Sequence, residues 1–109
     1  MKLTWHGVDL NRPEWGPDSH AIAFSLRSLR GRFELHTMVN AFWEDLKFEL
    51  PPAPARDGQW RRWIDTSRKS PEDITATLEA SVPITGVRYP VPSRTVVILY
   101  SRVAEGKKQ

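Results

Sequence analysis

His20, Ala21, Ile22, Ala23, Phe24, Ser25 and Leu26 alternate large apolar with small residues. After a break at Arg30 and Gly31 the chain resumes as Phe33, Glu34, Leu35, His36, Thr37, Met38, Val39 and Asn40. In an extended chain, residues two apart share a face. Ile22, Phe24 and Leu26 therefore line one face of the first run, and Phe33, Leu35, Thr37 and Val39 line one face of the second. Two such runs around a short glycine-containing break predict a β-hairpin.

The same period continues outward. Residues 45–50 set Leu46, Phe48 and Leu50 against Asp45, Lys47 and Glu49, and end at Pro51 and Pro52, which cannot continue a central ladder. Residues 51–59 read as a turn-rich loop. Residues 60–64 form the next strand candidate, with Trp60 and Arg62 on one side and Arg61 and Trp63 on the other. A further strand over 86–89 stops at a break made by Pro90 and Pro92. The run Thr95, Val96, Val97, Ile98, Leu99, Tyr100 is continuously apolar and β-branched, as a strand buried on both faces should be. Residues 70–80 carry the only helical signals: Ser70 as a cap, Pro71 at the first position, and Glu72 and Asp73 near the positive end of the dipole. They predict one or two turns. The pattern implies an all-β chain, an antiparallel β-sandwich of about six to eight short strands or a small barrel. Residues 1–104 would form one domain and residues 105–109 a polar tail.

With 109 residues, the chain is too short for a large-barrel enzyme, which needs about 250. It is still long enough to bury roughly two-thirds of its unfolded surface without a metal or disulfide. Hydrophobic residues at 39%, charged residues at 27% and a mean hydropathy of −0.49 fit a soluble globular domain. Nothing approaches the roughly 20 apolar residues of a membrane helix, and Trp5, His6 and Asp9 interrupt any leader-like run. Zero cysteines exclude disulfides, thiolate metal sites and thiol chemistry, and fit a reducing, cytoplasmic setting. The net charge of +3 and pI of 9.6 raise nucleic acid as a partner. Yet the clusters Arg27, Arg30, Arg32 and Arg61, Arg62 are interrupted by Glu34, Glu44, Asp45, Glu49 and Asp65, which argues for a solvated surface.

Catalytic signatures are thin. Glycoside hydrolysis needs two carboxylates about 5 to 9.5 Å apart across the scissile bond. Glu44 and Asp45 are adjacent, so on a strand they would point to opposite faces. His6, His20 and His36 lack ligand spacing, and neither a GxSxG elbow nor a phosphate-cradling glycine loop is present. No catalytic residue, metal or cofactor is expected. The oddity is five tryptophans. Most should be packing residues, but Trp5, Trp15 and Trp43 stand in loop-like contexts beside Gly7, Pro13 and Asn40, which suits an interface.

Trp5, His6, Gly7 and Val8, then Pro13, Glu14, Trp15, Ser19 and His20, resemble the opening of the C-terminal β-domain in bacterial glycogen-debranching enzymes of the isoamylase type, in glycoside hydrolase family 13. The likeness continues in order through residues 36–44, 46–51, 60–66, 70–74 and 89–97, and so covers nearly the whole chain. Phe42 and Trp63 depart from the pattern, where a tyrosine and a smaller aliphatic residue would be expected. The resemblance implies an antiparallel β-sandwich packed against a (β/α)8 barrel that hydrolyses α-1,6-glucosidic branches in glycogen or limit dextrin. The barrel's catalytic acids have no counterpart in this chain.

Three functions follow from different classes. The resemblance favours a non-catalytic accessory domain supporting the catalytic barrel of the same parent chain, with Trp5, His6, Trp15, Asn40 and Trp43 as barrel-interface candidates. The second is an α-glucan-binding module, with Trp60 and Trp63 as sugar-stacking candidates. The least favoured is a small barrel stacking single-stranded nucleic acid on Trp60 and Trp63 beside their arginines. Neither nucleic acid nor membrane is the expected partner.

Overall fold

The computed structural model describes residues 2–9, 20–28, 31–55, 58–70, 73–74, 83–84 and 86–103. Trp15, most of the helical segment expected over 70–80 and the tail 105–109 lie outside the described residues. Of that helical segment, Ile74 is described, and it forms an isolated antiparallel bridge with Ile64.

The hairpin predicted from period two is present. β2 (Ala21–Arg27) and β3 (Phe33–Asn40) pair antiparallel, with Ile22 opposite Val39, Phe24 opposite Thr37 and Leu26 opposite Leu35. The turn closes through the Gly31 N–H to the Ser28 carbonyl at 2.9 Å. Gly31 holds φ at 66°, a left-handed conformation that glycine adopts without steric cost.

β1 (Lys2–His6) adds to the outer edge of β2, and β8 (Thr95–Arg102) pairs along β3. β5 (Trp60–Asp65) follows on β8, and β6 (Pro83–Ile84) on β5, completing a six-stranded antiparallel sheet in the order β1-β2-β3-β8-β5-β6. β4 (Leu46–Glu49) and β7 (Arg88–Val91) form a separate two-stranded sheet. The described chain is thus all-β, consistent with a sandwich, and no helix in it is long and apolar enough to cross a membrane.

Core residues come from both sheets. Ala23, Met38, Trp60, Val97 and Leu99 from the large sheet meet Phe48, Leu50, Tyr89 and Val91 from the β4–β7 side. Three sequence expectations change here. Trp5 stands on a strand, because β1 completes its backbone hydrogen bonding on β2 and not in a loop. Pro90 does not break its strand: β7 runs through it to Val91, since in the two-stranded sheet β7 pairs with a strand on one side only, and a missing N–H on its other edge breaks no ladder bond. β8 is central, but its two faces differ: Thr95, Val97, Leu99 and Ser101 on the core side are buried, while on the other side Val96 and Ile98 are half-buried and Tyr100 is buried.

That second side matters. Cross-strand partners share a face, so the register aligns Leu3 and Trp5 with Leu26 and Phe24, these with Leu35 and Thr37, and these with Tyr100 and Ile98. β2 turns its small residues Ala23 and Ser25 inward, where both are buried, and its large residues Ile22, Phe24 and Leu26 away from the core. The outer face of the six-stranded sheet is consequently apolar across four strands.

Candidate functional site

Four arrangements bear on function, and the first is this outer face. Trp5 is 41% exposed, and Leu3 and Phe33 are also exposed there, while Thr37 and Tyr100 are buried. Trp5 leans on Phe24 at 5.4 Å between ring centroids, and Phe33 on Tyr100 at 5.9 Å. None of these side chains belongs to the core shared with β4 and β7.

The second is the turn between β3 and β4. Asn40 ends β3 and is buried. Its Nδ2 donates to the carbonyls of Glu44 at 2.9 Å, Val91 at 2.9 Å and Pro92 at 3.1 Å, and its Oδ1 accepts the Phe42 N–H at 2.9 Å. The Ala41 N–H donates to the His20 carbonyl at 2.8 Å, and Asp45 Oδ1 accepts the Ser93 N–H at 3.0 Å. Arg94, next in that neighbouring turn, holds φ at 54°, uncommon for a side chain with a Cβ. On this frame His20 stacks on Phe42 at 5.3 Å with planes 19° apart, and Phe42 meets Trp43 at 5.2 Å. Trp43 is 67% exposed.

The third lies in the core. His36 is fully buried, with Nδ1 at 2.8 Å from Ser25 Oγ, while no described residue offers Nε2 a hydrogen bond. His6 and Trp60 flank it, each at 5.7 Å between ring centroids. Burial, with a smaller contribution from His6, pushes the His36 imidazolium down to about 3. Burial also lowers His6, partly offset by Glu34 and Glu49. Such a pair is neutral at physiological pH and serves packing, not proton transfer.

The fourth ties the two sheets together. The Tyr89 hydroxyl donates to Asp65 Oδ2 at 2.9 Å, and the Ser67 N–H and hydroxyl donate to Asp65 Oδ1 at 3.0 and 2.6 Å. Burial alone would raise the Asp65 carboxyl, but the bonds from Ser67 and Tyr89, with Arg68 nearby, hold it below its ordinary value. Burial and the Asp65 partner raise Tyr89.

The sequence candidates therefore scatter. Trp5 lies on the outer face and Trp43 on the β3–β4 turn; both are exposed. His6 and Asn40 are buried, and the Asn40 amide bonds to carbonyls within the fold. Trp60 cannot stack on a sugar or a base: it is 3% exposed and its Nε1 donates to the Pro51 carbonyl at 2.8 Å. Trp63 is half-buried at the β-bulge between Arg62 and Ile64. The aromatic trio around Phe42 and the outer face itself were not read from the sequence. The signal for the latter was present: Ala23 and Ser25 oppose Met38 and His36, and a core that holds Phe48 and Trp60 has room only for small residues on β2. Among the described residues no three His, Asp or Glu side chains gather to hold a metal.

Comparison with known proteins adds two findings. A family model described as isoamylase 1-3, C-terminal, matches residues 4–88. The chloroplastic isoamylase 1 of rice (Oryza sativa subsp. japonica) is 28% identical over 74 residues, which cover 68% of this chain and 9% of the rice protein. The chain thus spans less than a tenth of that relative.

Proposed function

Because the chain belongs to the isoamylase 1-3 C-terminal family, we propose that it acts as the non-catalytic accessory domain of a glycogen-debranching enzyme, supporting a (β/α)8 catalytic barrel that hydrolyses α-1,6-glucosidic branches in glycogen or limit dextrin. The observation that carries this reading is the apolar outer face of the six-stranded sheet. Large apolar side chains on a surface strand cost free energy unless a partner covers them, and exposed patches beyond a few hundred Å² mark interfaces. In this reading the parent chain would lead into β1, the strand that brings Leu3 and Trp5 to that face. The domain's role is then to cover and rigidify part of the barrel, in a reducing, cytoplasmic setting with which a cysteine-free chain is compatible. Residues 1–104 act as the single folded unit.

Mixing this chain with an isoamylase-type debranching enzyme truncated before its own C-terminal domain tests the proposal. The two should co-elute on size exclusion, and branch-cleaving activity should rise. Leu3→Glu and Trp5→Glu, each placing a charge on the outer face, should abolish co-elution while leaving the fold intact by circular dichroism. Failure of the native chain to associate would overturn the docking function.

A further inference from the structure

We propose that the β3–β4 turn is a surface binding site for the non-reducing arms of an α-glucan, with Trp43 as its stacking platform. The proposal takes its ligand class from the debranching reading above, while its location rests on the turn alone. Trp43 is 67% exposed, although a fold with an available core has no need to leave an indole in water. Its exposure is not slackness. Ala41, Phe42, Glu44 and Asp45 are each fixed by a hydrogen bond, the buried Asn40 amide supplying those to Phe42 and Glu44 while also tying the turn to the carbonyls of Val91 and Pro92. Phe42, stacked against His20, buttresses the Trp43 ring from one side.

A rigid, presented aromatic ring is what the apolar C–H face of a glucose ring requires, because little ordering entropy is lost on binding. Sugars also need acceptors for their hydroxyls. Glu44 is exposed beside the platform, and its carboxylate can accept from sugar hydroxyls. The indole N–H of Trp43, on a ring 67% exposed, can donate to a sugar oxygen. The polar rim distinguishes this turn from the broadly apolar sheet face. A site here would hold a branched polymer near the enzyme while a different chain end occupies the barrel, raising the local substrate concentration.

Two-dimensional NMR of the indole N–H groups, titrated with maltoheptaose, tests this on the whole chain, with Trp43→Ala assigning the resonance. The Trp43 signal should shift saturably, with a dissociation constant on the order of 1 mM. Trp43→Ala should weaken binding at least about tenfold, Glu44→Gln should weaken it less, and Trp63→Ala should leave it unchanged. No saturable shift at Trp43, or binding that survives Trp43→Ala and follows Trp63 instead, would overturn the proposal. Co-elution with the truncated debranching enzyme separates the two readings. Trp43→Ala should retain it, and its loss would place Trp43 in the domain interface and refute the sugar site. Sugar binding by a native chain that fails to co-elute would refute the docking function alone.

Discussion

Replacing His36 and its partner together, Ser25→Ala with His36→Leu, should remove most of the acid sensitivity of the domain. In the unfolded chain a histidine titrates near 6.5, whereas burial holds His36 down to about 3 in the fold. Between these values the unfolded state binds a proton that the folded state refuses. Stability is therefore full above about pH 6.5 and declines as the pH falls toward 3. The same linkage places the loss from pH 8 to pH 5 at about 2 kcal/mol, and to pH 4 at about 3 kcal/mol. His6, also lowered by burial, adds a loss of the same sign. Asp65 does not interfere, since its lowered carboxyl contributes stability that is lost only below about pH 4. Changing both partners matters: His36→Leu alone would leave the Ser25 hydroxyl buried without a partner, whereas removing donor and acceptor together is close to neutral at pH 8. Urea unfolding followed by tryptophan fluorescence at pH 8, 6.5 and 5 gives the answer. The parent midpoint should fall by about 1 M urea over that range, given a slope of about 2 kcal/mol per molar. The double variant should keep only the smaller slope due to His6. An unchanged slope in the double variant, or a flat profile in the parent, would refute the assignment of His36 as a neutral core residue.

Asn40→Ala should destabilise by about 1–3 kcal/mol, because buried carbonyls such as that of Val91 lose their donor, and a thermal melt should drop by about 4–8 °C per kcal/mol. Asp65→Asn should lower stability at pH 7 and flatten the loss below pH 4, because the carboxylate that Ser67 and Tyr89 stabilise is gone; unfolding at pH 7 and pH 3 measures both. Phe48→Ala opens a cavity where both sheets meet and should cost about 3–5 kcal/mol, read from the same denaturation midpoint at pH 8.

Strand identity was legible where the chain alternates, as in β2 and β3, because period two is set by the backbone itself. Which face of β2 turns inward was not legible from the strand alone. Alternation says that Ile22, Phe24 and Leu26 share a side, but the space opposite Ala23 and Ser25 is decided by Met38 and His36 on the next strand. β1 escaped notice because a short edge strand depends on its neighbour for its hydrogen bonds. Asn40 stands among the interface candidates through the resemblance and Trp60 among the stacking candidates through its ring, yet Asn40 is satisfied by a carbonyl 51 residues away and Trp60 by the Pro51 carbonyl across a loop. Trp43, by contrast, was legible as a loop residue from its neighbour Asn40, and it is exposed in the turn. The family resemblance agreed with periodicity on the all-β fold, but it did not show which face of β2 turns inward or where Asn40 lies.

The most direct test of the account is the solvent accessibility of the outer sheet face in two contexts. Hydroxyl-radical footprinting should be run on this chain alone and on the chain in complex with the truncated debranching enzyme. Leu3, Trp5 and Phe33 should oxidise readily in the free chain and be protected several-fold in the complex, while Val87, 75% exposed beside the smaller sheet, should react equally in both. Equal oxidation of Trp5 with and without the partner would contradict the claim that this face is where the domain meets its enzyme.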